Sequence, residues 1–295
     1  MLTVLLPLMV LFFSFQSLFL RLYVAHYAGP KEGQARTVFS ICYGAFIATA
    51  SLIVGGFSFS PSWQTWLLGL LNAGMLLLYS ASMIEAGDRG SYAFLMISSV
   101  FGGILIPLAM GMLFLGETLT PGQGAAVLLM LISLVIMNFK GISFKKTSGA
   151  YYFWCALLFL ANGLYSAVMK LQASLMGGTE RTEMLTILFM ASALGALLTE
   201  LLRKRGNRLV EGFRMGKKAM LFLLICCCSA TAAANLLLHN LSLMESGILY
   251  TINNGSVLVL AILYSLILFK ERPRWEQILG MGLAVASIVL FSVKA

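Results

Sequence analysis

Ionisable side chains that could do chemistry are few in this sequence. Asp88 is the only aspartate, and His26 and His239 are the only histidines. A paired-aspartate protease and a His-rich metal site therefore lack their groups. No GxSxG, HExxH or Walker sequence occurs, so the chain reads as a non-enzyme that needs no cofactor and no metal. Cys42, Cys155 and the run Cys226 to Cys228 lie in apolar segments without CxxC spacing and read as lipid- or core-facing thiols. What remains is a set of polar side chains placed inside apolar runs: Tyr79, Ser98, Ser99, Asn162, Tyr165, Asn235, His239, Asn253 and Asn254. Unpaired amides and hydroxyls are costly in hydrocarbon, so each of these marks either a substrate pathway or an interhelical hydrogen bond.

Some of these groups are more telling than others. Asn235 and His239 are four residues apart and share a helix face, with Asn240 adjoining. His239 can carry a proton near neutral pH, or bind a carboxylate. Asn253 and Asn254 stand beside a glycine in TINNGSV, opposite Ser98 and Ser99 in MISSVFGG. Glu85, Glu245 and Pro107 are the gating or coupling candidates. For the two glutamates the plainer reading is snorkelling or capping at a helix end. Pro107, with Gly102 and Gly103, can let a helix bend, and the two glycines can equally serve close packing.

The elements that must position these groups are membrane spans. Of 295 residues, 60% are hydrophobic and 11% charged, far outside soluble composition. Apolar runs long enough to cross hydrocarbon predict ten helices at about 2–21, 36–57, 63–84, 91–115, 121–139, 150–171, 183–202, 218–241, 247–269 and 274–293. Prolines at 61, 121 and 273 sit at helix starts, and Thr120 with Gln123 fits a capping box. Because the chain opens directly on an apolar run, its start is read as a first span and not a removed signal.

The spans fall into two copies of one unit. AGMLLLYSASMIEAG at 73–87 returns as AANLLLHNLSLMESG at 233–247, GETLTPGQ returns as KERPRWEQ, and the segment ending at Arg21 resembles the one ending at Lys170. Tyr79 falls opposite His239, and such differences are where a substrate would be read. The expected domains are a first five-helix repeat at 1–140, a linker at 141–149 and a second repeat at 150–295. An odd number of spans per repeat inserts the second upside down. Of 20 Lys and Arg, 17 fall in the loops after odd-numbered helices, leaving Lys170, Arg181 and Lys294 on the other side. By the positive-inside rule the termini then face outward. The run RKRGNRLVEGFRMGKK reads as a topology anchor. Glu117 and Glu271 should hold the helix start that follows each of them or make a gate contact, and Arg21 and Lys170 should anchor helix ends, with attraction of an anionic substrate as the alternative.

With its ten spans, its inverted repeat and the paired GETLTPGQ and KERPRWEQ signatures, the chain resembles the drug/metabolite transporter superfamily, specifically proteins with two EamA-type domains. The resemblance covers almost the whole length. It implies an all-α integral membrane protein with ten transmembrane helices as two five-helix inverted repeats. It also implies a secondary transporter with a central cavity, often an exporter of amino acids, other metabolites or drugs. Many members have cytoplasmic termini, against the charge count here. The small multidrug branch carries a glutamate midway along its first helix, whereas Phe, Ser and Gln stand there in this chain. The expected activity is export of small amino-acid-like, zwitterionic or neutral metabolites from the plasma membrane. The alternative is a multidrug or lipid-linked carrier. Expected partners are a small-molecule substrate and the bilayer, with no nucleic acid and with a homodimer left open.

Overall fold

The computed structural model describes residues 2–29, 34–87, 89, 92–139, 149–202, 210–268, 270 and 274–292. Glu271 and most of the expected linker lie outside them. Among the described residues ten long helices follow one another: α1 Leu2–His26, α2 Gln34–Val54, α3 Trp63–Gly87, α4 Tyr92–Phe114, α5 Pro121–Asn138, α6 Gly149–Leu175, α7 Arg181–Leu202, α8 Lys217–Leu241, α9 Ser246–Ile267 and α10 Trp275–Ser292. Among the described residues nine of these are long and apolar enough to cross a membrane, and the apolar part of α10 is shorter. The chain is a multi-pass, all-α membrane protein.

Helix starts follow local chemistry. Thr120 forms a full capping box at α5, with Gln123 N donating to its hydroxyl and Thr120 N donating to Gln123 Oε1 at 2.8 Å. The equivalent bond recurs at α10, where Arg274 N donates to Gln277 Oε1 at 2.9 Å. The repeat written in GETLTPGQ and KERPRWEQ is thus a repeated hydrogen bond.

Packing gathers the helices into two compact units, one of residues 1–77 and 176–239, the other of residues 78–175 and 240–295. Each draws on both sequence repeats. In the first unit α2 packs against α7. Gly44 lies so close that an added Cβ would stand 2.7 Å from Phe189 O, and Gly55 comes equally near Thr182. Contacts that advance along α2 retreat along α7, so the pair is antiparallel. Around it, Tyr23, Val38, Ala219, Leu223 and Cys227 form a buried core.

In the second unit α5 packs against α10 through two hydrogen bonds. Ser133 Oγ donates to Gly280 O and Ser287 Oγ donates to Ala126 O, each at 2.7 Å. Ser133 and Ser287 are 154 residues apart, as are Ala126 and Gly280, the spacing that separates Glu117 from Glu271. Each repeat therefore donates the bond it also receives, and the order of the contacts is antiparallel. That reciprocity is the signature of an inverted repeat.

The α4–α6 contact in the same unit is made by glycine. A side chain at Gly102 would overlap the Phe159 carbonyl, and one at Gly163 would stand 2.7 Å from Gly102 O. Gly102 thus serves close packing. Pro107 sits inside α4, and its carbonyl accepts from Ser246 Oγ at 3.0 Å.

Candidate transport site

In the first unit the turn between α6 and α7 is tight. Gly177 and Gly178 take positive φ, and so does Glu180 at 52°, a conformation that disfavours a side chain. Glu180 is held there by its bonds. Its carbonyl accepts from Met184 N at 3.0 Å, opening α7. Its carboxylate accepts from Ser62 N at 3.0 Å and Ser62 Oγ at 2.8 Å. Ser62 also caps α3, accepting from Thr65 N at 3.3 Å. Burial would push the Glu180 carboxyl up, but the hydrogen bonds from Thr65 and Ser62 outweigh it and hold the group below the usual carboxylate range.

Beside this turn lie two adjoining cavities. One, of about 510 Å³, is apolar: Phe46, Ala50, Val54, Cys228, Ala232 and Leu236 line it, with Thr231 and Asn235. The other, of about 530 Å³, shares Val54, Asn235 and Leu236 with the first and adds His239, Glu180, Arg181, Thr182 and Glu183. Both fall in the size range of small-molecule sites. Glu183 accepts from Thr182 Oγ1 at 2.9 Å, and Glu180 is committed to Ser62. Arg181 makes no ion pair among the described residues. The result is an open, largely apolar groove, one end of which carries a guanidinium without an ion pair among the described residues, two carboxylates, an imidazole and an amide.

In the second unit the charged groups are locked together. Lys170 is 8% exposed. Its ammonium pairs with Glu117 Oε1 at 2.7 Å and donates to Leu241 O at 3.0 Å and Met244 O at 2.8 Å. Glu117 accepts from Ser246 N at 3.0 Å and Ser246 Oγ at 2.7 Å. The cation thus sits at the carbonyl end of α8 and the anion at the amide end of α9, both as the helix dipoles favour. A Cβ at Gly111 would overlap the Glu117 carboxylate, so only glycine leaves room for it. The expectations for these residues change accordingly. Glu117 holds the start of α9 and not that of the helix following it, and Lys170 is a buried ion-pair partner and not a surface anchor.

The sequence candidates divide between the units. Asn235 and His239 share the first unit's cavity, and Asn235 Nδ2 also donates to Thr231 O at 2.9 Å. The rest lie in the second unit. Asn162 Nδ2 donates to Ser99 O at 2.8 Å, joining α6 to α4, and Ser98 Oγ donates to Phe94 O at 3.0 Å. Tyr79 packs on the core of Leu95, Tyr151 and Leu158. Tyr165 is half-buried on α6. Asn253 is buried with its Oδ1 unpartnered, and Asn254 is half-buried. Glu85 forms an ion pair with Arg89 one turn on, at the end of α3. Glu245 keeps one buried, unpartnered oxygen.

Residues 150–293 match the EamA-like transporter family. The second repeat is similar to an EamA domain. That match is consistent with the drug/metabolite transporter superfamily, which the paired signatures resemble. A crystal structure described only as that of a protein has the same fold, with a TM-score of 0.74 at 16% identity, over 99% of this chain and 96% of the other. Among curated proteins none matches the sequence.

Reasoning from sequence passed over Glu180, Arg181 and Glu183. A signal for Arg181 was present: it is one of only three basic residues on the side the charge count leaves nearly empty. A cation that does not serve topology must serve something else. Asn72 was also missed; it is buried in α3 with both amide atoms unpartnered.

Proposed function

We propose that this protein is a secondary transporter that exports small amino-acid-like, zwitterionic or neutral metabolites by alternating access. The observation that supports the reading is the first unit's open groove, apolar at one end and ionic at the other. An α-amino acid with an apolar side chain presents the complementary pattern. Its carboxylate meets Arg181, its ammonium meets Glu180 or Glu183, and its side chain fills the space beside Phe46 and Ala50. Asn235 and His239 supply further hydrogen bonds. A gradient or exchange energises the movement, with the two five-helix repeats as the alternating elements and the plasma membrane as the site.

Ligand-induced stabilisation of the purified protein across a metabolite library tests this, since a bound ligand raises apparent stability by mass action. Stabilisation by apolar or aromatic amino acids, reduced in Arg181→Gln, is the expected result. Stabilisation by hydrophobic cations or lipids alone would replace this reading with the multidrug or lipid-linked carrier.

A further inference from the structure

Donors and acceptors do not balance at the break between α8 and α9. An ammonium has three N–H donors, and Lys170 spends its own on Glu117, Leu241 O and Met244 O. Glu117 in turn is committed to Lys170 and to the backbone and hydroxyl of Ser246. The one positive charge is thus paired with a single carboxylate, and its remaining donors are taken by two backbone carbonyls. Glu245, which immediately precedes Ser246, brings a second carboxyl to the same place.

The groups acting on Glu245 come from three directions: Glu117 and the Thr118 amide from the α4–α5 turn, and Lys170 from α6. Its backbone opens α9, with Leu249 N donating to Glu245 O at 3.1 Å, but its side chain makes no cap bond to that helix. One carboxyl oxygen is buried without a partner. Burial first, and then the charge of Glu117, push this carboxyl above its usual range, while the Thr118 amide and Lys170 act in the opposite direction. Two carboxylates competing for one already saturated cation do not both ionise cheaply.

We propose that Glu245 is a proton-binding site, holding its proton while the Glu117–Lys170 pair is closed and releasing it to water as that pair opens. Loss of the proton puts a second anion beside Lys170, whose three donors must then be shared, and weakens the hold of Glu117 on the start of α9. By linkage, closing the pair takes a proton up. The proposal rests on the secondary-transport reading, to which it adds a coupling ion.

Infrared spectroscopy of the purified full chain in lipid, titrated from acid to neutral pH without substrate, reads the carbonyl stretch of protonated carboxyls. Expected is a band that survives well above the ordinary glutamate range of about pH 4.3. It should be lost in Glu245→Gln, kept in Glu85→Gln, and titrate at lower pH in Glu117→Gln, where the like charge is gone. Glu245→Asp, which should move the band without abolishing it, serves where the glutamine variant does not fold. Absence of the band in the wild type, or its survival in Glu245→Gln, overturns the proposal. Efflux from proteoliposomes, measured on the same preparations, separates the two readings. A Glu245 band in a protein that moves no metabolite sustains the proton site and refutes transport, whereas efflux without the band does the reverse.

Discussion

Glu180 and Glu117 hold helix starts by the same means, one in each compact unit. Each carboxylate accepts from the backbone amide and the hydroxyl of a serine, Ser62 at the start of α3 and Ser246 at the start of α9. They differ in what else they bind. Glu117 adds the buried ammonium of Lys170, which itself ties down the end of α8. Glu180 adds the Thr65 side chain, and its neighbour Arg181 lines a cavity. Where a cation is supplied, the cap becomes a clasp on a third helix. Where the neighbouring cation stays unpaired, a ligand can use it.

The most disruptive way to break this comparison is to remove one partner of the clasp. Glu117→Ala should cost about 3–5 kcal/mol in unfolding measurements, because it strands the Lys170 charge in a buried place. Gly111→Ala, which crowds the carboxylate without removing any charge, should destabilise in the same direction. Next in size is a binding effect: Arg181→Gln should weaken ligand affinity by about tenfold to a hundredfold, the loss of a charge-assisted hydrogen bond, while melting close to the wild-type temperature. Glu180→Ala should cost only about 1–2 kcal/mol, as the loss of a capping side chain does. Finally, Ser133→Ala and Ser287→Ala should each cost about 1 kcal/mol, and nearly the same as each other, since they remove the same bond from opposite repeats.

The two carboxyls with shifted affinities sharpen the contrast in pH. Glu180 is held below its usual range, so the stability it contributes is full above the ordinary carboxylate range and is lost as pH falls through its folded value. Glu245 is shifted up, so its contribution is full in acid and is lost as pH rises through its folded value. Thermal melts against pH should therefore show Glu180→Gln flattening the acid limb and Glu245→Gln flattening the decline toward neutrality. A pair of variants that flattened the same limb would refute the assignment of opposite shifts.

Much of the fold was legible because its signals are local. A span is a run of apolar residues, and a capping box is three residues of the same chain, so the ten helices and the Thr120 and Gln277 starts stand close to where the sequence placed them. The site was legible only in part. Asn235 and His239 could be found because polar groups in apolar helices are rare. Asn162 carried the same signal, yet its amide bonds Ser99 across the α4–α6 contact. Rarity marks a constrained residue without saying whether a substrate or a neighbouring helix constrains it. Glu180 sits in a turn, where charge is ordinary, and gave no signal of type, whereas the signal of Arg181 lay only in the charge count.

The sequence alone determined that this protein is a ten-helix membrane protein built from one unit used twice and inverted. Hydropathy, span parity and repeated motifs are properties of the chain itself, and hydrocarbon enforces them without regard to what packs where. Only the tertiary structure decided which charges meet. Glu117 reaches Ser246, 129 positions away, and Lys170 closes onto carbonyls more than 70 positions along. Such pairings depend on the space left between packed helices, here the room a glycine gives at position 111. No spacing within one segment records them.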